Sequence, residues 1–253
     1  MSVVSKVSSA VLLMVLSASV AGAVVVKQER VPGGALEQTW LPGFGVGRTF
    51  TPLTLAAGDP ANPNPSGDNT VAVLQNNDIN LGGIAACATD NNGFADYTWE
   101  GDFFTGAGST RVGLILRADP TNGFQTFYQF VINSGLFVIR FRKFVNGAPG
   151  VPDLASWTAN ILPGGIPQQN SWHHMRVDAV GNKFDCFFDG FKLNASAIED
   201  TSLTPILTGW AGAYNFSAGV GEVPVYFDNL TLTVGGPTPT HGVTWGSLKK
   251  LYR

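Results

Sequence analysis

Carboxylates come first among the groups in this chain that could do chemistry. Glu100-Gly101-Asp102 sets two of them two residues apart, which on a strand means one shared face. Paired acids of this kind can cleave a glycosidic bond; they also decorate ordinary solvated strands, and both readings stand. His173 and His174 are adjacent, so a strand turns them to opposite faces and they cannot share one metal ion without a bend. His241 lies far off in a Gly/Pro-rich stretch. No nucleophile–His–acid series is visible. Asp90-Asn91-Asn92-Gly93 with Asp96 is an oxygen-rich turn, and Asp90, Asn92 and Asp96 are candidate calcium ligands. The spacing is not that of an EF-hand, and Asx-turn chemistry accounts for the same residues.

A second kind of chemistry is sugar recognition, in which a flat ring packs on sugar C–H bonds while polar groups fix orientation. Arg117, Tyr128, Arg140, Arg142 and Trp210 are expected to share one sheet face, with Trp99 and Trp157 as further platforms. Six Trp, five Tyr and 17 Phe must also supply a core, so each ring has that competing role. Cys87 and Cys186 are the two cysteines. In an oxidising compartment they either pair or stay as two buried thiols; pairing requires Cα atoms within about 7 Å. No CxxC or His/Cys spacing suggests zinc.

These groups must sit on strands. The stretch 172–190 reads as two alternating strands joined at Gly181-Asn182 and closed by Asp189-Gly190, a hairpin signature. Further strands are expected at 49–55, 70–75, 97–105, 111–117, 124–133, 136–144, 206–216 and 223–234. In 136–144 Phe137, Ile139 and Phe141 alternate with Val138, Arg140 and Arg142, which implies one buried and one solvated face. Asp119-Pro120-Thr121-Asn122-Gly123 is a turn, and the proline-rich run 58–69 is a surface loop. About twelve strands and no ordinary helix make an all-β antiparallel sandwich.

The chain has 253 residues, a net charge of −3 and 31 glycines, a composition of turns and short strands. No basic stripe is present to hold a nucleic acid. Val7 to Val20 is apolar or small, and Ala21-Gly22-Ala23 follows; residues 1–23 read as a secretory signal peptide. Removing it leaves about 230 residues, suited to one large β-domain. No later run is long enough to span a membrane. Residues 24–48 form an N-terminal lead, 49–234 the sandwich domain, and 235–253 a linker and short tail with a possible helix from Trp245. The tail is either a docking segment or a loosely packed end. Asn194, Asn215 and Asn229 open Asn-x-Ser/Thr triplets, relevant only in a eukaryotic secretory route.

Gly113-Leu-Ile-Leu-Arg-Ala-Asp119, Phe127-Tyr-Gln-Phe-Val-Ile132, Gly135-Leu-Phe-Val-Ile-Arg140, Trp172-His-His-Met-Arg-Val177, Gly209-Trp-Ala-Gly212 and Val225-Tyr-Phe-Asp-Asn-Leu230 follow one another in an order that resembles the concanavalin A-like lectin/glucanase superfamily. The pattern is most similar to bacterial LamG-like and 3-keto-disaccharide hydrolase-like domains, and covers roughly 49–234. The resemblance implies a jelly-roll β-sandwich of two antiparallel sheets, with sugars often held on a concave sheet or edge loops, and calcium held by Asp/Asn oxygens in many members. Retaining glucanases of this superfamily carry a Glu-x-Asp-x-(x)-Glu strand. Here Glu100-Gly101-Asp102 lacks the second Glu, and no catalytic motif can be placed residue by residue. The leading expectation is a secreted, periplasmic or cell-surface protein, bacterial in flavour, that binds carbohydrate or a surface polymer without catalysis. A glycan-processing hydrolase on the same fold comes next, then a structural or adhesive envelope protein. Sequence leaves the oligomeric state open.

Overall fold

The computed structural model describes residues 23–43, 48–76, 82–88, 93–105, 110–133, 137–217 and 224–235. All but the last residue of the expected signal peptide, and the expected C-terminal helix, lie outside these residues.

The chain begins with β1 (Val24–Glu29), β2 (Trp40–Gly43), β3 (Arg48–Thr54), β4 (Thr70–Asn76) and β5 (Gly83–Cys87). The middle comprises β6 (Tyr97–Thr105), β7 (Thr110–Ala118), β8 (Phe127–Asn133), β9 (Val138–Val145), β10 (Ala148–Pro149) and β11 (Ala155–Thr158). Last come β12 (Trp172–Val180), β13 (Lys183–Phe188), β14 (Phe191–Lys192), β15 (Ile198–Glu199), β16 (Trp210–Ser217) and β17 (Val225–Val234). Helical structure among the described residues is limited to three-residue 3₁₀ turns.

All pairings are antiparallel, and they make two sheets. The nine-stranded sheet runs β14-β13-β12-β6-β17-β4-β3, with β1 also on β17 and β15 also on β13. The eight-stranded sheet runs β10-β9-β8-β7-β16-β5-β2, with β11 also on β9. Period-2 alternation drives the stacking. Leu114, Tyr128, Phe130, Ile139 and Phe141 of one sheet meet Trp99, Phe103, Val177, Phe184 and Phe188 of the other, all fully or almost fully buried. Burial stabilises each large apolar side chain by roughly 1.5–3 kcal/mol. The molecule is an all-β sandwich of two antiparallel sheets.

The 172–190 hairpin forms as the sequence predicts. Val180 pairs with Lys183 around Gly181-Asn182, and Phe188 pairs with Phe191 around Asp189-Gly190. Asp189 and Gly190 both have positive φ, 47° and 77°, as a type I′ turn requires. Asn146-Gly147, with φ of 51° and 79°, makes the same turn between β9 and β10.

Two expectations change. The segment 24–48 is no mere lead: β1 pairs with β17 and β2 with β5. Glu29 fixes it. This buried carboxylate accepts hydrogen bonds from the backbone N–H of Val31, Glu37 and Gln38 and from Trp40 Nε1, each at 3.0 Å. Cys87 and Cys186 are both buried and both free. Cys87 is on β5, which packs beside β4; Cys186 is on β13, four strand places from β4 in the other sheet. That is roughly 19 Å at about 4.8 Å per strand, far beyond disulfide reach. Burial pushes the Cys87 thiol up to about 11 and Cys186 well above its ordinary value, so both are inert apolar fillers.

Candidate functional site

The outward face of the eight-stranded sheet gathers polar groups that the strand register brings into rows. In one row Ile115 of β7 stands beside Gln129 of β8, and Gln129 beside Arg142 of β9. In the next, Tyr214 of β16, Gly113 of β7, Val131 of β8 and Arg140 of β9 run side by side. Arg111 and Phe216 pair one row further out. Gly113 is required by close approach, since a Cβ there would lie 2.0 Å from the Phe130 carbonyl oxygen.

Charge is unbalanced on this face. Arg140 Nη1 lies 3.4 Å from Asp153, and Arg142 Nε lies 3.1 Å from the same carboxylate. Arg111 sits over the Phe216 ring at 4.9 Å. Among the described residues, Arg140 and Arg142 thus share one carboxylate, with Arg111 as a third guanidinium on the same face. Burial lowers the pKa of Arg142; Asp153 opposes that, while Arg140 and Arg111 add to it. Polar atoms here are also left unused. Gln129 is 1% exposed, yet neither its amide nitrogen nor its oxygen makes a well-aligned hydrogen bond, although Tyr214 lies beside it. The Nε of Arg140 is likewise buried without an aligned acceptor. Each such group costs about 1–3 kcal/mol, and native proteins keep few of them.

The far end of the same face is apolar. Phe124 does not begin a strand as its sequence suggests. It turns at φ 60° and lays its ring 5.4 Å from Trp210 and against Gly43. Phe127 and Phe144 stack there at 4.7 Å.

Of the residues expected on one face, Arg140, Arg142 and Trp210 are together, although Trp210 is only 8% exposed and packs on Phe124. Arg117 and Tyr128 point elsewhere. Arg117 sits at a break in strand regularity, with φ 52°, and its guanidinium is fully buried. It donates to the carbonyls of Ala95 at 2.7 Å and Ile206 at 2.8 Å, and to that of Gly181. Tyr128 pairs in register with Lys143 and faces the core. Its hydroxyl bonds Asp200, which also accepts from Lys143 Nζ at 2.9 Å. Burial raises the Asp200 carboxyl, but donors from Ser202, Tyr128 and Lys143 outweigh it and hold the group at about 2. Arg117 and Tyr128 are therefore interior clamps. Trp99 and Trp157 are also committed: Trp99 Nε1 bonds the Gly212 carbonyl, and Trp157 packs edge-on against Phe130.

The carboxylate pair is placed as its spacing predicts, on the outward face of the nine-stranded sheet, where both acids close on a histidine. His174 Nδ1 is 2.8 Å from Asp102 and Nε2 is 3.4 Å from Glu100. Asn229 takes the other Asp102 oxygen at 2.9 Å. Asp102 first, then Glu100, raise the imidazole to about 9 against opposing burial, so it is a cation at neutral pH. His173 turns the other way. Nδ1 meets Asp189 and Nε2 meets the Gln168 carbonyl, both at 2.9 Å. It borders a cleft of about 270 Å³ under the 162–168 loop, with Phe188 and Phe191 opposite. Both of its nitrogens are engaged, so neither serves as a base.

Of the calcium candidates, Asp90 and Asn92 lie outside the described residues. Asp96 accepts from the Gly181 N–H at 2.8 Å. No group of three or more His, Cys, Asp or Glu among the described residues is arranged to hold a metal. Asn194 and Asn215 are buried. Asn194 bonds the Cys186 N–H, so it serves the fold.

Sequence reading missed Arg111, Gln129, Tyr214 and Asp153. Arg111 and Gln129 lie on expected strands neighbouring that of Arg140, so counting by twos across the strands could have found them. Asp153 reaches the face from a loop, which no periodicity reveals.

An antiparallel two-sheet sandwich with a donor-rich outward face is the class that fold and site define. Within it, the chain is similar in structure to the carbohydrate binding module CBM66 from Bacillus subtilis, at 18% identity and a TM-score of 0.53, covering 78% of this chain and 96% of that one. It is also similar to the cellulose induced protein Cip1, at 13% identity and a TM-score of 0.52, covering 81% and 96%. At these identities the likeness is one of fold. No protein-family model matches the chain, and no curated protein matches it in sequence.

Proposed function

We propose that this chain is an exported carbohydrate-binding module of LamG-like type, whose ligand lies across the outward face of the eight-stranded sheet. One observation carries the reading: Gln129 and Arg140 stand on that face with buried polar atoms, the Gln129 amide and Arg140 Nε, that make no aligned hydrogen bond. A sugar offers hydroxyl and ring oxygens to such donors, while the half-buried Phe216 gives its C–H faces an apolar neighbour. The two structural neighbours named above are consistent with this, one being a carbohydrate-binding module by its name. Export is supported by the 1–23 segment. No described helix is long and apolar enough to cross a membrane.

Glycan-array binding of the mature chain, with and without EDTA, tests the proposal. Retention of a defined set of polysaccharides is the expected result; silence across the array refutes it. Loss of signal with EDTA would assign calcium, with Asp90, Asn92 and Asp96 the first ligands to replace. Hydrolysis is less favoured, because Glu100 and Asp102 close on His174.

A further inference from the structure

We infer that the ligand of the outward eight-stranded face is an acidic polysaccharide whose sugar carboxylates seat on Arg111, Arg140 and Arg142. This rests on the sugar-binding reading of the same face and names its substrate class.

Charge leads to it first. The chain is acidic overall, at −3, yet among the described residues of this face three arginines stand with one acid. Arg140 and Arg142 share Asp153. Arg111 has a ring beneath it, and Arg140 and Phe216 are half-buried, so the patch is reachable from solvent at that end. A planar guanidinium fork matches a carboxylate in two-point contact. Asp153 already shows that this face accepts one, held between two arginines. The Arg140 Nε makes no aligned hydrogen bond and remains as a donor.

The neutral groups complete the fit. Gln129 carries both a donor and an acceptor that make no aligned hydrogen bond, which suits a sugar hydroxyl and has little to offer a bare inorganic anion. A charged polymer with hydroxyls satisfies both sets at once; a neutral glucan would leave the guanidinium excess uncompensated.

Titration calorimetry of the mature chain is run against polygalacturonate, alginate, fully methyl-esterified pectin, dextran sulfate and duplex DNA. Esterification removes the carboxylate charge and keeps the sugar. One or both uronate polymers should bind, and esterification should weaken that binding about tenfold or more, as expected for a lost charged hydrogen bond. Arg111→Gln and Arg140→Gln, both at partly exposed sites, should each weaken uronate binding several-fold with an unchanged melting temperature. Equal binding of acid and ester would overturn the inference and leave sugar binding standing. Tighter binding of dextran sulfate, or equal binding of DNA, would overturn the carboxylate assignment. If no uronate binds while a neutral glycan does, the inference falls alone; if no polysaccharide binds at all, the reading beneath it falls too.

Discussion

Arg117 shows how a functional-looking side chain becomes structural. Its three carbonyl partners come from separate loops, at Ala95, Gly181 and Ile206. Removing the cation takes the shared donor from these part-buried acceptors. Arg117→Ala is therefore expected to lower unfolding free energy by roughly 1–3 kcal/mol, measured by denaturant titration. Arg117→Lys should recover only part of this, because one ammonium cannot span the fork geometry. His174 behaves as a charged staple, and its pH dependence has a definite sign. The folded pKa of His174, about 9, exceeds its ordinary 6.5. Its stabilisation is thus complete below about 6.5 and fades as pH climbs through about 9. The melting temperature of the wild type should fall across that window, and His174→Gln should flatten the fall. An unchanged slope in the variant would remove the imidazolium from the account. This staple was not visible in sequence, since partners such as Asp102, 72 residues from His174, meet it only through strand register.

At the level of elements, alternation and turn chemistry made much of the sandwich legible. The strand 97–105 and the hairpin 172–190 stand where Gly, Asn and β-branched or aromatic residues put them. What stayed hidden was held by single side chains. β5 is a run of small residues with no contrast between faces, and β1 and β2 depend on the Glu29 carboxylate. Glu29→Ala leaves three N–H groups and the Trp40 indole unsatisfied. It should cost at least about 2 kcal/mol and expose residues 30–39 to limited proteolysis while the main sandwich stays folded. Resistance equal to the wild type would show that strand pairing alone holds this segment. The Asp189-Gly190 turn offers a second check. Gly190 has φ 77°, so Gly190→Ala should destabilise by about 1 kcal/mol, read from the same denaturant curves.

The whole molecule assigns different work to its two outward faces. On the nine-stranded sheet, charges are matched: His174 with Glu100 and Asp102, Arg176 with Asp178, and Lys192 with Asp185. On the eight-stranded sheet, guanidinium groups exceed acids among the described residues and the buried Gln129 amide makes no aligned hydrogen bond. The sequence carried the fold and two of these arginines, Arg140 and Arg142. It could not reveal which face was balanced, because that depends on Asp153 reaching over from a loop. Arginine side-chain NMR of the mature chain titrated with a bound oligosaccharide tests the division most directly. The Nε–H signals of Arg111, Arg140 and Arg142 should shift while those of Arg117 and Arg176 stay in place. Movement of Arg176, with the three outward arginines silent, would put the ligand on the opposite sheet and contradict the account.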